Sequence, residues 1–187
     1  MRAARFASQL DFEIAPDVLA AMKSMTDRIS IISAERVRDE FVKTLMSKYP
    51  RAGISILVET GLAAIVLPEI PKLQLEIDEH HHHKDVYEHS LTVLEQAIAL
   101  EHRLDGPNLV IRLAALMHDI GKPKTRNLIP GGGVSFHHHG WRSCRLFRSL
   151  PMAGARDFCF VPCIRLALGT VVSFIHFGWR SRRLFRS

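Results

Sequence analysis

The sequence predicts an all-α protein. Apolar residues recur at spacings of three and four through most of residues 1–121, the period of a helix with one buried face. Start and stop residues, among them Pro16, Ser33, Pro50, Gly61 and Gly121, fall between these stretches. No stretch shows a convincing alternation of apolar and polar residues.

The elements follow in order. "RAARFASQL" sets Ala4, Phe6, Ala7 and Leu10 as one helical face. "APDVLAAMKSM" is a second helix, opened by Pro16 and Asp17, with Val18, Ala21, Met22 and Met25 turned inward. "SAERVRDEFVKTLMSKYP" is a third, with Ser33 at the N-cap, Glu35 in the first turn, and Val37, Phe41, Leu45 and Met46 as its stripe. "RAGISILVETG" is a fourth, closed by Gly61. Pro68 and Pro71 break "LAAIVLPEIPKLQ" into a turn and connector. "KDVYEHSLTVLEQAIALEHRL" is a long fifth helix, with Val86, His89, Val93, Ala97 and Leu100 inward. "GPNLVIRLAALMHDIG" is a sixth, starting near Pro107 and closing at Gly121.

A chain of 187 residues can fill one sizeable core or two small ones. No apolar run approaches the roughly 18 residues a membrane-spanning helix needs. The N-terminus has an early Asp11 and no apolar core of a secretory signal, so the expected compartment is the cytoplasm, with no membrane partner.

The net charge of +6 conceals two compositions. Residues 1–139 hold 16 Lys and Arg against 18 Asp and Glu. Residues 140–187 hold nine Arg, no Lys, one acid (Asp157), all three Cys and both Trp. This tail also repeats itself. "VSFHHHGWRSCRLFRS" (134–149) returns as "VSFIHFGWRSRRLFRS" (172–187), with thirteen of sixteen positions identical. One reading is a basic arm that grips nucleic acid through phosphates, with aromatic side chains for stacking. The other is a departure from the ancestral reading frame near His139, followed by duplication. Two copies are fewer than a repeat array needs to bury a core. Cys159 and Cys163 lack a second pair to complete a zinc site.

The chemistry-bearing residues are histidines and one carboxylate. His80, His81, His82 and His83 form a run that reads as a solvated loop or a metal trap before the fifth helix. His89 lies on the inward face of that helix. His118 and Asp119 are adjacent where the sixth helix gives way to Gly121. His137, His138 and His139 follow some twenty residues on. Imidazole and carboxylate drawn from three segments suit Zn, Mn, Fe or Ni.

These residues resemble the HD superfamily of metal-dependent phosphohydrolases. His118 and Asp119 in "LAALMHDIGKP" carry its name motif, and His89 in "YEHS" matches its first metal ligand. His139 would match the next ligand, although Gly140 stands where the family has Glu. More closely, "RAARFASQLDFEI", "ISAERVRDEFVKTLM", "GLAAIVLPEI", "DEHHHHKDVYEHSLTVL" and "LAALMHDIGKP", in this order, resemble the bacterial CCA-adding tRNA nucleotidyltransferase and poly(A) polymerase family with a C-terminal HD domain. The resemblance covers residues 2–139.

It implies a helical neck over 1–75, a partial HD domain over 76–139, and an anomalous Arg-rich tail over 140–187. It implies RNA, at a tRNA 3′ end, as partner, and a nucleotide or cyclic phosphate as HD substrate. The implied metal ligands are His89, His118, Asp119 and His139, holding a divalent ion (Mg, Mn, Ni, Zn or Fe). Asp119 and Lys122 are the implied catalytic residues, with Lys122 neutralising a phosphate oxygen; otherwise Lys122 is a solvated side chain past a helix end.

The Gly-Ser motif and Asp-x-Asp pair of the family's transferase head are not found in these residues. The expectation is therefore a truncated member with an incomplete HD site and no nucleotide transfer of its own. A self-standing HD phosphohydrolase and a non-catalytic RNA-binding protein are the alternatives.

Overall fold

The computed structural model of the chain describes residues 1–74, 86–104, 106–129 and 133–136. Helices α1 (Arg2–Leu10), α2 (Pro16–Ser24), α3 (Ala34–Leu45), α4 (Pro50–Glu59) and α5 (Leu62–Val66) build the first half. Helices α6 (Val86–Ala99), α7 (Leu109–Met117) and the single turn α8 (Lys122–Thr125) build the second. Short 3-10 turns at Thr26–Ile31, Pro71–Leu73 and Glu101–Arg103 join them. The helical class is as expected from the sequence.

One short element was not expected, since no stretch read as a strand. Strands β1 (Arg126–Ile129) and β2 (Gly133–Phe136) form an antiparallel hairpin, with Arg126 opposite Phe136 and Ile129 opposite Gly133. The first copy of the duplicated peptide thus begins as a strand, Val134 to Phe136. Its remainder, the second copy, His80 to His83, His137 to His139 and Asp157 lie outside the described residues.

The core is continuous across the two halves. Phe41 and Leu45 of α3, Ile54 and Leu57 of α4, Leu67, Ile70 and Leu73 of the connector, Leu91 and Leu94 of α6, and Leu116 of α7 are each 2 % exposed or less. Burying each such side chain contributes roughly 1.5–3 kcal/mol.

Several expected faces are turned differently. On α1, Ala4, Ala7 and Ser8 face inward, while Phe6 and Leu10 are 41 % and 63 % exposed. The inward residues are small because α1 lies close against α4. A Cβ on Gly53 would come 2.4 Å from Thr44 Cγ2 and 2.9 Å from Ser8 Cβ. Phe6 instead carries the Arg5 guanidinium over its ring at 4.5 Å. On α2 none of the nine residues is buried; Val18, and Met25 just past its end, are exposed, while Leu19, Ala21 and Met22 are half-covered.

The helix ends are set by identifiable groups. Ser33 occupies the N-cap of α3 but its side chain makes no capping bond. Pro50, which ends the third stretch, is the first residue of α4. Gly61 follows α4 with φ +77°, the left-handed conformation that favours glycine. The fifth helix stops at Ala99 rather than running on to Leu104. The sixth is capped by Asn108, whose side chain accepts from the Val110 and Ile111 amides, and ends at Met117. This leaves His118 and Asp119 in the turn beyond it.

Candidate metal centre

Two helices bring the site together. α6 packs against α7, and the ion pair from Glu101 just past α6 to Arg112 at the start of α7 and the approach of His89 to Asp119 set the two antiparallel, with the beginning of α6 at the end of α7. His89 is the fourth residue of α6, and His118 and Asp119 directly follow α7. Adjacent apolar positions hold both backbones: Val86, Val93, Ala115, Leu116 and Ile120 are buried.

One ligand atom from each of His89, His118 and Asp119 lies within 4.8 Å of the other two. His118 Nε2 is 3.1 Å from Asp119 Oδ2, and His89 Nε2 is 3.9 Å from the same oxygen. The two imidazoles meet edge to face, with centroids 5.3 Å apart. His118 Nδ1 lies 2.9 Å from the Ala115 carbonyl oxygen. That oxygen can only accept, so Nδ1 donates to it and Nε2 is the nitrogen that faces Asp119. Such orientation by a backbone carbonyl is what metal-ligating histidines commonly have.

Asp119 is the buried member, at 2 % exposure. Burial pushes its carboxyl up. The hydrogen bond and charge of His118, together with the charge of Lys122, outweigh this and hold it well below the usual carboxylate range. Lys122 Nζ stands 2.6 Å from Asp119 Oδ2, with a side chain 21 % exposed. Lys122 is thus not the solvated side chain that one reading of the sequence allowed. An ionised, buried oxygen surrounded by two imidazoles and an ammonium is a cation-collecting position. The donor set fits a first-row divalent ion.

Of the four expected ligands, the structure brings three together; His139 lies outside the described residues. The sequence reading missed a second buried charge cluster. Arg112 donates from Nε and Nη2 to both carboxylate oxygens of Glu101, each at 2.7 Å, and from Nη1 to the carbonyls of Leu45 and Ser47. The signal was there: a lone Arg inside the apolar run "LVIRLAALM" is tolerated only with a buried partner. It also missed Arg51 of α4, which pairs with Glu88 and Glu95 on the outer face of α6.

Comparison with known proteins agrees with this layout. A family model described as the probable RNA and SrmB-binding site of polymerase A matches residues 11–73. The HD domain model matches residues 86–151. The multifunctional CCA protein of Azoarcus sp. is 38 % identical over 145 residues, 75 % of this chain and 33 % of that protein. The A-adding tRNA nucleotidyltransferase of Deinococcus radiodurans is 36 % identical over 144 residues, 74 % of this chain and 32 % of that protein. The multifunctional CCA protein of Mannheimia succiniciproducens is 32 % identical over 148 residues, 75 % of this chain and 34 % of that protein. The chain spans about a third of the length of these relatives. Two domain matches in one order, a His-His-Asp cluster inside the second, and identity over three quarters of the residues lead to one conclusion: the chain belongs to the CCA-adding tRNA nucleotidyltransferase and poly(A) polymerase family, among the members that carry an HD domain.

Proposed function

We propose that this chain joins an RNA-binding helical neck to an HD metal site of phosphohydrolase type, and that by itself it transfers no nucleotides. The observation that carries the HD half is the convergence of His89, His118 and Asp119 on one buried carboxylate oxygen. The RNA half is supported by the family match over residues 11–73 and by relatives named for action on tRNA. The RNA partner is a tRNA 3′ end, and the compartment is the cytoplasm. Among the described residues, no helix is long and apolar enough to cross a membrane.

The domain limits we propose are a neck over 1–75, an HD portion over 76–139 and a separate tail over 140–187. The HD match reaches residue 151, twelve residues past the proposed end of the HD portion. The transferase motifs of the family head are not found in these 187 residues, which supports the absence of nucleotide addition.

His89, His118 and Asp119 would hold the divalent ion. Such an ion polarises a phosphate oxygen and acidifies water. The chain's own residues prepare the position: Asp119 stays ionised, and the Ala115 carbonyl fixes which nitrogen His118 presents. Lys122 balances the Asp119 charge, and with an ion held there its ammonium would be available to a phosphate oxygen. Nucleotides and cyclic phosphates at RNA ends are the substrate class. Three described ligands support weak metal binding and slow hydrolysis, with Asp157 the one acid after Asp119.

The test is metal content of the purified chain, together with hydrolysis of p-nitrophenyl phosphate and a 2′,3′-cyclic nucleotide. One bound ion that is lost in Asp119→Ala is the expected result. A metal-free protein after reconstitution with Mn2+, Co2+ and Ni2+ rejects the HD half. Addition of C or A to a tRNA by this chain alone rejects the absence of transfer.

A further inference from the structure

We infer that the buried Arg112–Glu101 pair is a register pin that positions the metal ligands; this rests on the metal reading above. Arg112 is 3 % exposed and Glu101 6 %. The pair sits at the connected end of the α6–α7 hairpin, because Glu101 lies just past α6 and Arg112 is in the first turn of α7. His89, His118 and Asp119 sit at the opposite, open end.

The guanidinium makes four hydrogen bonds. Two go to Glu101 at 2.7 Å, one to the Leu45 carbonyl at 2.9 Å and one to the Ser47 carbonyl at 2.8 Å. The Asn108 amide donates to Glu101 Oε1 at 3.1 Å, closing the carboxylate from the loop side. Three segments therefore meet on one planar fork: the end of α3, the end of α6 and the beginning of α7.

This arrangement is a poor way to add stability. Desolvating two charges offsets most of their attraction, and a well-packed apolar pair often does as well. What a fork adds is directionality, since its N–H groups point at fixed positions. Leucine side chains can repack after a small slide of one helix on another; a bidentate pair with two carbonyl acceptors cannot. A slide of one helical turn, about 5.4 Å, exceeds the 4.8 Å span that holds the three ligands. Arg112 and Glu101 are thus positioning residues for a site neither of them touches.

The test uses the full chain, stripped of metal and titrated with Co2+, read by visible ligand-field absorption and by the melting transition. The pair Arg112→Met with Glu101→Leu removes the fork without leaving an unpaired buried charge. We expect it to melt cooperatively, to bind Co2+ about tenfold or more weakly, and to show a shifted band. Gly53→Ala is the structural control, expected to lower the melting temperature with Co2+ affinity and band unchanged. Unchanged affinity and band in the folded double variant overturn the inference. Should the double variant not fold, Glu101→Gln keeps the shape of the pair; its Co2+ affinity should fall with helix content intact, and an unchanged affinity overturns the inference equally. If the parent chain itself binds no Co2+, the metal reading fails and the inference with it. Parent binding with equal binding by the variants sinks the inference alone.

Discussion

Single residues show which chemistry was legible. His118 and Asp119 could be read directly, because adjacent His and Asp at a helix end have few structural reasons to coexist. Lys122 could be seen but not placed, since its partner depended on the turn that returns Asp119 toward it. The inward faces of α1 and α2 were misjudged because period gives the existence of a face, not what covers it. Gly53 looked like an ordinary helical glycine and proves to be the contact that lets α1 approach α4. Gly53→Ala should overpack this contact and cost about 1–3 kcal/mol, checked by the urea midpoint against the parent. A destabilisation near zero would mean that Thr44 and Ser8 can give way.

Glu101 makes a second prediction at the same scale. Burial pushes its carboxyl up, but the hydrogen bonds from Arg112 and the Asn108 amide and the charge of Arg112 hold it below its ordinary range. A carboxyl with a depressed folded value stabilises the native state above its unfolded pKa of about 4.3. That contribution is lost as pH falls through the lower folded value. Glu101→Gln removes it, so the variant should be less stable at pH 7, and its denaturant midpoint should fall less than the parent's between pH 5 and pH 3. Parallel midpoints would show that other carboxylates dominate the acid limb.

Among the elements, long amphipathic helices were legible and their ends were not. The fifth and sixth helices both ended sooner than their apolar pattern suggested. The sixth begins at Leu109, two residues past Pro107, because the Asn108 side chain accepts from the Val110 and Ile111 amides and so sets the cap there. Asn108→Ala should therefore cost about 1 kcal/mol, read as a lower melting temperature with Co2+ affinity retained. The hairpin was missed for a different reason. Four-residue strands are too short for alternation to stand out, and the signal was the turn: "PGGG" between "RNLI" and "VSF". Finding β2 inside the first repeat copy explains why that copy opens on β-branched and aromatic residues without assigning a role to the second.

At the scale of the whole molecule, the asymmetry of charge makes the last prediction. The residues up to 139 hold 16 basic against 18 acidic side chains, so the whole of the excess positive charge lies beyond them. The HD match ends at residue 151, so a chain ending there retains every matched residue and drops the second repeat copy. If the tail is a scar of duplication, this shortened chain keeps its total helical signal, its melting temperature and its Co2+ affinity. Its tRNA affinity at 200 mM salt would also be unchanged, since the contacts would lie in the neck. If the tail is a basic arm, removing the six arginines Arg156, Arg165, Arg180, Arg182, Arg183 and Arg186 should weaken tRNA binding and flatten its dependence on salt. Each lost phosphate contact lowers the slope of log affinity against log salt by about 0.7–0.9. Filter binding of both chains from 50 to 400 mM salt separates the two: superimposed lines leave the neck as the RNA site, and a shallower line for the shortened chain restores the arm.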